Sequence, residues 1–338
     1  MRTVPPPPDS LRLSLPRGAA LLAHRRSVGV CLVLLVLVLA IGTASLLTGT
    51  YSLGGAGSEL DRFIVVDQRL PRVLAAVLVG AMLALSGAVF QSVSRNPLGS
   101  PDIVGFTTGA STGGLLVILL GVSTTSSVAL GTTLGGALTA AVVVLIALRR
   151  RAGGDGLVLV GVALAQMLGS FNDYLLSRAT IESAEAAKAW QYGSLNAVSW
   201  PQVRPLALGT ALLLPLVVGL VRPTRVLEMG DDTATGLGLR PYRWRGVLVG
   251  YGVVLAALCV AVSGPIGFVA LAAPQVARRL CRSAGTTLTA SAVTGAFLLA
   301  LADLVAARLL APFQIPVGLV SSACGGLYLM WLVGLRRR

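Results

Sequence analysis

The chain has 338 residues, 55% of them hydrophobic and only 12% charged, yet its net charge is +14. A mean hydropathy of +0.83 places it among integral membrane proteins and excludes a soluble globular domain. The positive charge could suit nucleic acid, but its placement along the chain follows a membrane rule instead.

Residues 1–27, with the run Pro5 to Pro8 and scattered arginines, read as a disordered cytoplasmic tail. The apolar run at 28–48 follows His24-Arg25-Arg26. It is too long for a signal-peptide core and lacks a clear small-residue cleavage site, so it reads as an uncleaved first span. Crossing a bilayer takes about 20 apolar residues. Further spans are predicted at 70–93, 101–121, 127–148, 157–177, 203–221, 246–264, 266–281, 288–307 and 316–335. The expectation is an all-α membrane domain of ten helices over 28–338. With the N-terminus inside, twenty of the 27 basic residues fall in cytoplasmic segments and seven in outer ones. That asymmetry is the positive-inside rule; it puts both termini in the cytoplasm and removes the need for a nucleic-acid partner.

Local features sharpen this outline. The second span opens on Arg69-Leu70-Pro71-Arg72, where Pro71 suits the first turn of a helix. "RNPLGSPDIVGF" (95–106) breaks the start of the third span, and "SGPIGFVALAAPQVARR" (263–279) breaks the eighth. Irregular backbone at membrane depth is tolerated only when buried in protein or facing a water-filled cavity. The two segments share a loose pattern and enter from opposite sides, an indication of an inverted repeat of spans two to five and seven to ten. In the fifth span Gln166, Ser170, Asp173 and Ser177 share one helical face, as a pathway lining or a helix-packing stripe would. Gly318, Ser322 and Gly325 form a small-residue face on the tenth.

Little catalytic chemistry is available. Lys188 is the one lysine, in "EAAKAW", so a phosphate-cradling G-x-x-x-x-G-K-[ST] loop is impossible. His24 is the one histidine, and Cys31, Cys259, Cys281 and Cys324 stand singly, so neither a zinc site nor a disulfide framework has the spacing it needs. No enzyme activity and no cofactor are expected. The polar island Val221 to Gly246, "VRPTRVLEMGDDTATGLGLRPYRWRG", interrupts this pattern with five arginines and three acids. Leu227, Met229, Leu237 and Leu239 can serve as apolar anchors, Glu228, Asp231 and Asp232 offer carboxylates, and Gly230, Gly236 and Gly238 permit tight turns. An ordinary solvated loop would account for the arginines but not for the apolar and acidic centre.

Three long stretches, 69–110, 264–280 ("GPIGFVALAAPQVARRL") and 301–326 ("LADLVAARLLAPFQIPVGLVSSACGG"), resemble the FecCD-type permease subunits of bacterial iron-siderophore, haem and vitamin B12 ABC importers. "WQYGSLNAVSW" and "LEMGDDTATGLGL" are most similar to the second permease of ferric-enterobactin importers. The resemblance implies a type II importer fold in the cytoplasmic membrane, a second permease subunit (a paralogue, or else a copy of this chain), two separate ATPase subunits and an extracytoplasmic substrate-binding protein. It implies a ferric siderophore as substrate, with vitamin B12 or haem as the alternative. It assigns the island, 222–245, to ATPase coupling through Leu227, Glu228, Met229, Gly230, Asp231, Asp232, Leu237 and Gly238. Arg69 and Arg72 are implied to dock the binding protein, with Arg308 standing one residue after the family's usual third arginine position, here Ala307. Gln275 stands where the family has histidine. Gln166, Ser170, Asp173, Ser177, Gly318 and Ser322 are the expected pathway residues. The rival from another class, an ion-coupled secondary transporter, would need embedded ionisable groups such as Asp173 and Asp303.

Overall fold

The computed structural model describes residues 10–14, 20–49, 59–102, 105–121, 124–149, 154–311 and 313–335. Nearly all of them are helical. α1 (Arg25–Leu47) is followed by α2 (Glu59–Phe63), which runs through a single π-helical turn, Ile64–Arg69, into α3 (Leu70–Ser94). Then come α4 (Phe106–Leu119), α5 (Thr125–Arg149), α6 (Gly154–Arg178), α7 (Ile181–Gln191) and α8 (Trp200–Leu213). A short 3₁₀ turn at Pro215 joins α8 to α9 (Val217–Glu228). The remaining helices are α10 (Asp231–Gly236), α11 (Pro241–Ser263), α12 (Val269–Cys281), α13 (Leu288–Arg308) and α14 (Val317–Leu335).

Among the described residues seven helical stretches are long and apolar enough to cross a membrane, against the ten spans expected. For two of the three others the cause is structural, and the third, α14, is itself an apolar helix of 19 residues. α4 and α12 begin in broken backbone and run for only 14 and 13 residues, about 20 Å each at 1.5 Å per residue. The tail also departs from expectation. Ser10–Ser14 (β1) and Ala20–His24 (β2) form an antiparallel ribbon, with Ser10 opposite His24 and Ser14 opposite Ala20. The alternation Ser-Leu-Arg-Leu-Ser is a period-two strand signal that the neighbouring prolines and arginines obscured.

α3 is the axis of the bundle. It is apolar around its whole circumference, the mark of a helix buried on every side, and its residues from Met82 to Ser94 are all buried. It packs on α8, α11, α12 and α13. The α3–α13 crossing is close: a β-carbon on Gly80 would lie 2.4 Å from the Gly295 carbonyl oxygen, and one on Gly295 would lie 2.2 Å from that of Gly80. Backbone contact of this kind is how small residues substitute for hydrophobic driving force between membrane helices. Polar side chains add to it, with Ser86 Oγ donating to the Gly252 carbonyl at 2.7 Å and Gln91 Nε2 to that of Leu271 at 3.0 Å.

Candidate functional site

Three polar regions stand out: one at each end of α3 and one at the breaks that start α4 and α12. At the Leu70 end, Pro71 in the first turn sets the start of α3 and places Arg69 and Arg72 beside the ends of α1 and α13. Together with Arg308, the last residue of α13, they line a cavity of about 190 Å³ that also takes in Asp303, Gln314 and Asn196. The structure therefore brings the three expected docking arginines to one place, but not in one state. Arg72 is turned inward. Its Nε and Nη2 reach the Asp303 carboxylate at 2.9 Å, and its Nη1 donates to Gln314 Oε1 at 3.0 Å. The planar guanidinium matches a carboxylate in this two-bonded geometry, and with both side chains largely buried the pair is a closed internal clamp between α3 and α13. Arg69 donates to the Leu46 carbonyl at 2.8 Å, and exposed Arg308 bonds Thr48 Oγ1. Arg69 and Arg308 are thus both held at the rim, beside the end of α1.

At the Ser94 end lies the polar island. It is not an open loop: α9 carries it to Glu228, Gly230 turns the chain with φ of +105°, α10 occupies Asp231–Gly236, and Gly238 turns it again with φ of +76°. Gly236, expected at a turn, ends α10 instead. The eight predicted coupling residues divide. Met229 and Leu237 are exposed at 66% and 56%, and Asp232 is exposed beside them. Leu227 is 1% exposed and belongs to the chain's own core, because Val217, Leu220, Thr224 and Leu227 share the inner face of α9. Glu228 accepts from Ser92 Oγ at 2.6 Å, from the Thr286 N–H at 3.2 Å and from the Thr286 hydroxyl. Asp231 is paired with Arg245 at 2.8 Å. Three expected partner contacts, Leu227, Glu228 and Asp231, are therefore occupied within the chain.

Between these ends, the broken starts of α4 and α12 meet. Gly105 and Gly264 have φ of +79° and +66°, and Phe268, unusually for a bulky residue, has φ of +66°. A cavity of about 570 Å³ is lined by Ser100, Asp102 and Thr107 from one break and by Pro265, Gly267 and Phe268 from the other. Gly318 and Ser322 of α14, two of the residues expected along a pathway, line it too. The α6 stripe does not. Gln166, Ser170, Asp173 and Ser177 are all exposed, and Ser170 and Ser177 bond back to carbonyls of their own helix. α6 is the least buried of the spans, at 11%. Its one buried polar side chain in that region, Asn172, escaped the sequence reading because it lies off the stripe. Gln275 donates to Gln91 Oε1 at 2.6 Å and to the Pro97 carbonyl at 3.2 Å, tying α12 to the first break. Of the two acids an ion-coupled transporter would draw on, Asp303 is clamped by Arg72 and Asp173 is exposed.

The model of the FecCD transport family matches residues 30–334. The chain belongs to the FecCD transport family. The ferric enterobactin transport system permease FepG of Escherichia coli (strain K12) is 42% identical over 270 residues, covering 80% of this chain and 82% of that protein. The Fe(3+)-citrate import system permease YfmE of Bacillus subtilis (strain 168) is 35% identical, covering 82% and 83%. A metal-chelate type ABC transporter solved in an inward-facing conformation superposes with a TM-score of 0.83 at 29% identity, covering 90% of this chain and 98% of that one. As a member of this family the chain is a multi-pass inner-membrane permease subunit of an ABC importer, and ATP hydrolysis belongs to a separate subunit.

Proposed function

We propose that this FecCD permease carries a ferric siderophore from an extracytoplasmic binding protein into the cytoplasm, with both termini cytoplasmic. The observation that carries the substrate is the 42% identity to a ferric enterobactin permease over most of both chains. In this orientation the cavity of Arg69 and Arg308 faces outward and receives the binding protein, while Met229, Leu237 and Asp232 face inward and meet the ATPase. The polar stripe of α6 supports a second permease packed across the pathway, since a polar face on a membrane helix belongs against protein or water. The test of substrate is deletion of the gene. High-affinity accumulation of a radiolabelled ferric siderophore should be lost while vitamin B12 uptake continues. Normal siderophore accumulation in a strain with no paralogue to compensate would refute the assignment, and loss of vitamin B12 uptake alone would transfer it to that substrate.

A further inference from the structure

Glu228 is the last residue of α9, two residues before the turn at Gly230 that leads into α10. Its carboxylate faces the bundle, and the groups that hold it come from two distant parts of the chain. Ser92 lies in the last turn of α3 and Thr286 in the linker that leads into α13; both are buried, at 2% and 6% exposure. Their hydroxyls are 2.8 Å apart, and each lies against Glu228 Oε1, while the Thr286 N–H adds a third donor. The three groups form one closed knot. The knot fixes the near side of the turn at Gly230, while the Asp231–Arg245 pair holds α10 to α11 on its far side.

α3 and α13 are the two helices that touch backbone to backbone at Gly80 and Gly295 and are clamped at their far ends by Arg72 and Asp303. A carboxylate held by three neutral donors in buried surroundings resists displacement, since hydrogen bonds to charged groups are the stronger ones. We infer that Glu228 is a positioning residue for energy coupling: it ties the end of α9, next to the exposed Met229, to α3 and to the linker into α13, so that a load taken up at Met229 passes to that helix pair instead of bending α9 away from the bundle. This rests on the reading of Met229 and Leu237 as the ATPase contact. It differs from a docking role, because the Glu228 carboxylate points away from the exposed Met229 and Leu237.

The experiment uses the whole transporter, with ATPase and binding protein, in reconstituted vesicles. In Glu228→Leu the ATPase should still co-purify and hydrolyse ATP at the basal rate, while stimulation by loaded binding protein disappears and substrate moved per ATP falls at least tenfold. Glu228→Gln, which keeps an acceptor oxygen, should recover most of that ratio. Ser92→Ala and Thr286→Val, each removing one hydroxyl, should give intermediate ratios; they decide the matter if Glu228→Leu does not fold. Wild-type transport per ATP in these variants overturns the proposal. So does loss of the ATPase from the complex, which would make Glu228 a docking residue, or a lowered melting temperature with an unchanged ratio, which would make it merely structural. Failure of the unaltered transporter to couple to its ATPase would instead overturn the reading beneath the proposal.

Discussion

The two ends of α3 solve the same problem with different chemistry. At the Leu70 end an arginine and an aspartate cancel each other's charge, and at the Ser94 end a carboxylate is held by hydroxyls and a backbone amide. Both fasten α3 to the α13 side of the bundle, some 30 Å apart by the helical rise between residues 72 and 92. The difference lies in what breaking each one leaves behind. Removing Asp303 strands a buried cation, whereas removing Glu228 strands two hydroxyls and a backbone N–H, all of them neutral. The ion pair is therefore suited to permanence and the knot to transmission.

The largest effect should follow from that asymmetry. Asp303→Ala leaves Arg72 uncompensated, and breaking a buried pair from one side costs about 3–5 kcal/mol. The purified protein should melt at markedly lower temperature than wild type, and Arg72→Ala/Asp303→Ala together should be milder than the sum of the single changes. Additive losses would mean that the two residues do not share a clamp, and the contrast between the ends would fail.

Next in size are the exposed apolar side chains of the island. Interface energy concentrates in apolar anchors that become buried on contact, so Met229→Asp with Leu237→Asp should release the ATPase on purification while the permease still folds. Leu227→Ala should do the reverse. Truncating a fully buried leucine costs about 2–5 kcal/mol, and the loss should appear as lower stability before any loss of the partner. An ATPase that remains bound to the Met229/Leu237 variant would place its contact elsewhere on the cytoplasmic surface.

This division of the island was only half legible in the sequence. Apolar runs placed the spans within a few residues, and the Arg69-Leu70-Pro71-Arg72 motif located one end of the site. The inward turn of Arg72 was not visible, because its partner Asp303 lies 231 positions away and no local spacing announces such a pair. The same holds for Glu228, whose donors are 136 and 58 positions distant. Leu227 was different. Its place on one helical face with Leu220 and Thr224 is a 3.6-residue pattern that was readable, and it was missed because a run of arginines and glycines suggested a loop. The short lengths of α4 and α12 were announced by Pro97, Pro101 and Pro265, although prolines alone do not say how far a broken segment extends.

A smaller effect is expected at Arg69 and Arg308, which line the rim of the cavity. Exposed ion pairs are worth roughly 0.2–1 kcal/mol each, although pairs desolvated at an interface can be worth more. Arg69→Glu with Arg308→Glu should weaken binding-protein docking by about tenfold and flatten its dependence on salt, while Arg72, already spent on Asp303, should matter through folding. Docking unchanged in the double variant would show that the cavity is structural.

The smallest effect concerns Gln275, which joins α12 to the first break through Gln91 and the Pro97 carbonyl. An amide cannot titrate, so this junction carries no charge at any physiological pH. A neutral histidine can donate from one ring nitrogen and accept at the other, and it titrates with an ordinary value of about 6.5. In Gln275→His the neutral imidazole could keep one bond, to Pro97 or to Gln91. Protonation would place a positive charge next to two carbonyl oxygens and the buried Gln91 amide. Transport by the variant should therefore change by only a few-fold between pH 5.5 and 7.5, with the wild-type profile flat at this site. A variant as indifferent to pH as the wild type would show that transport does not depend on the charge state of this junction.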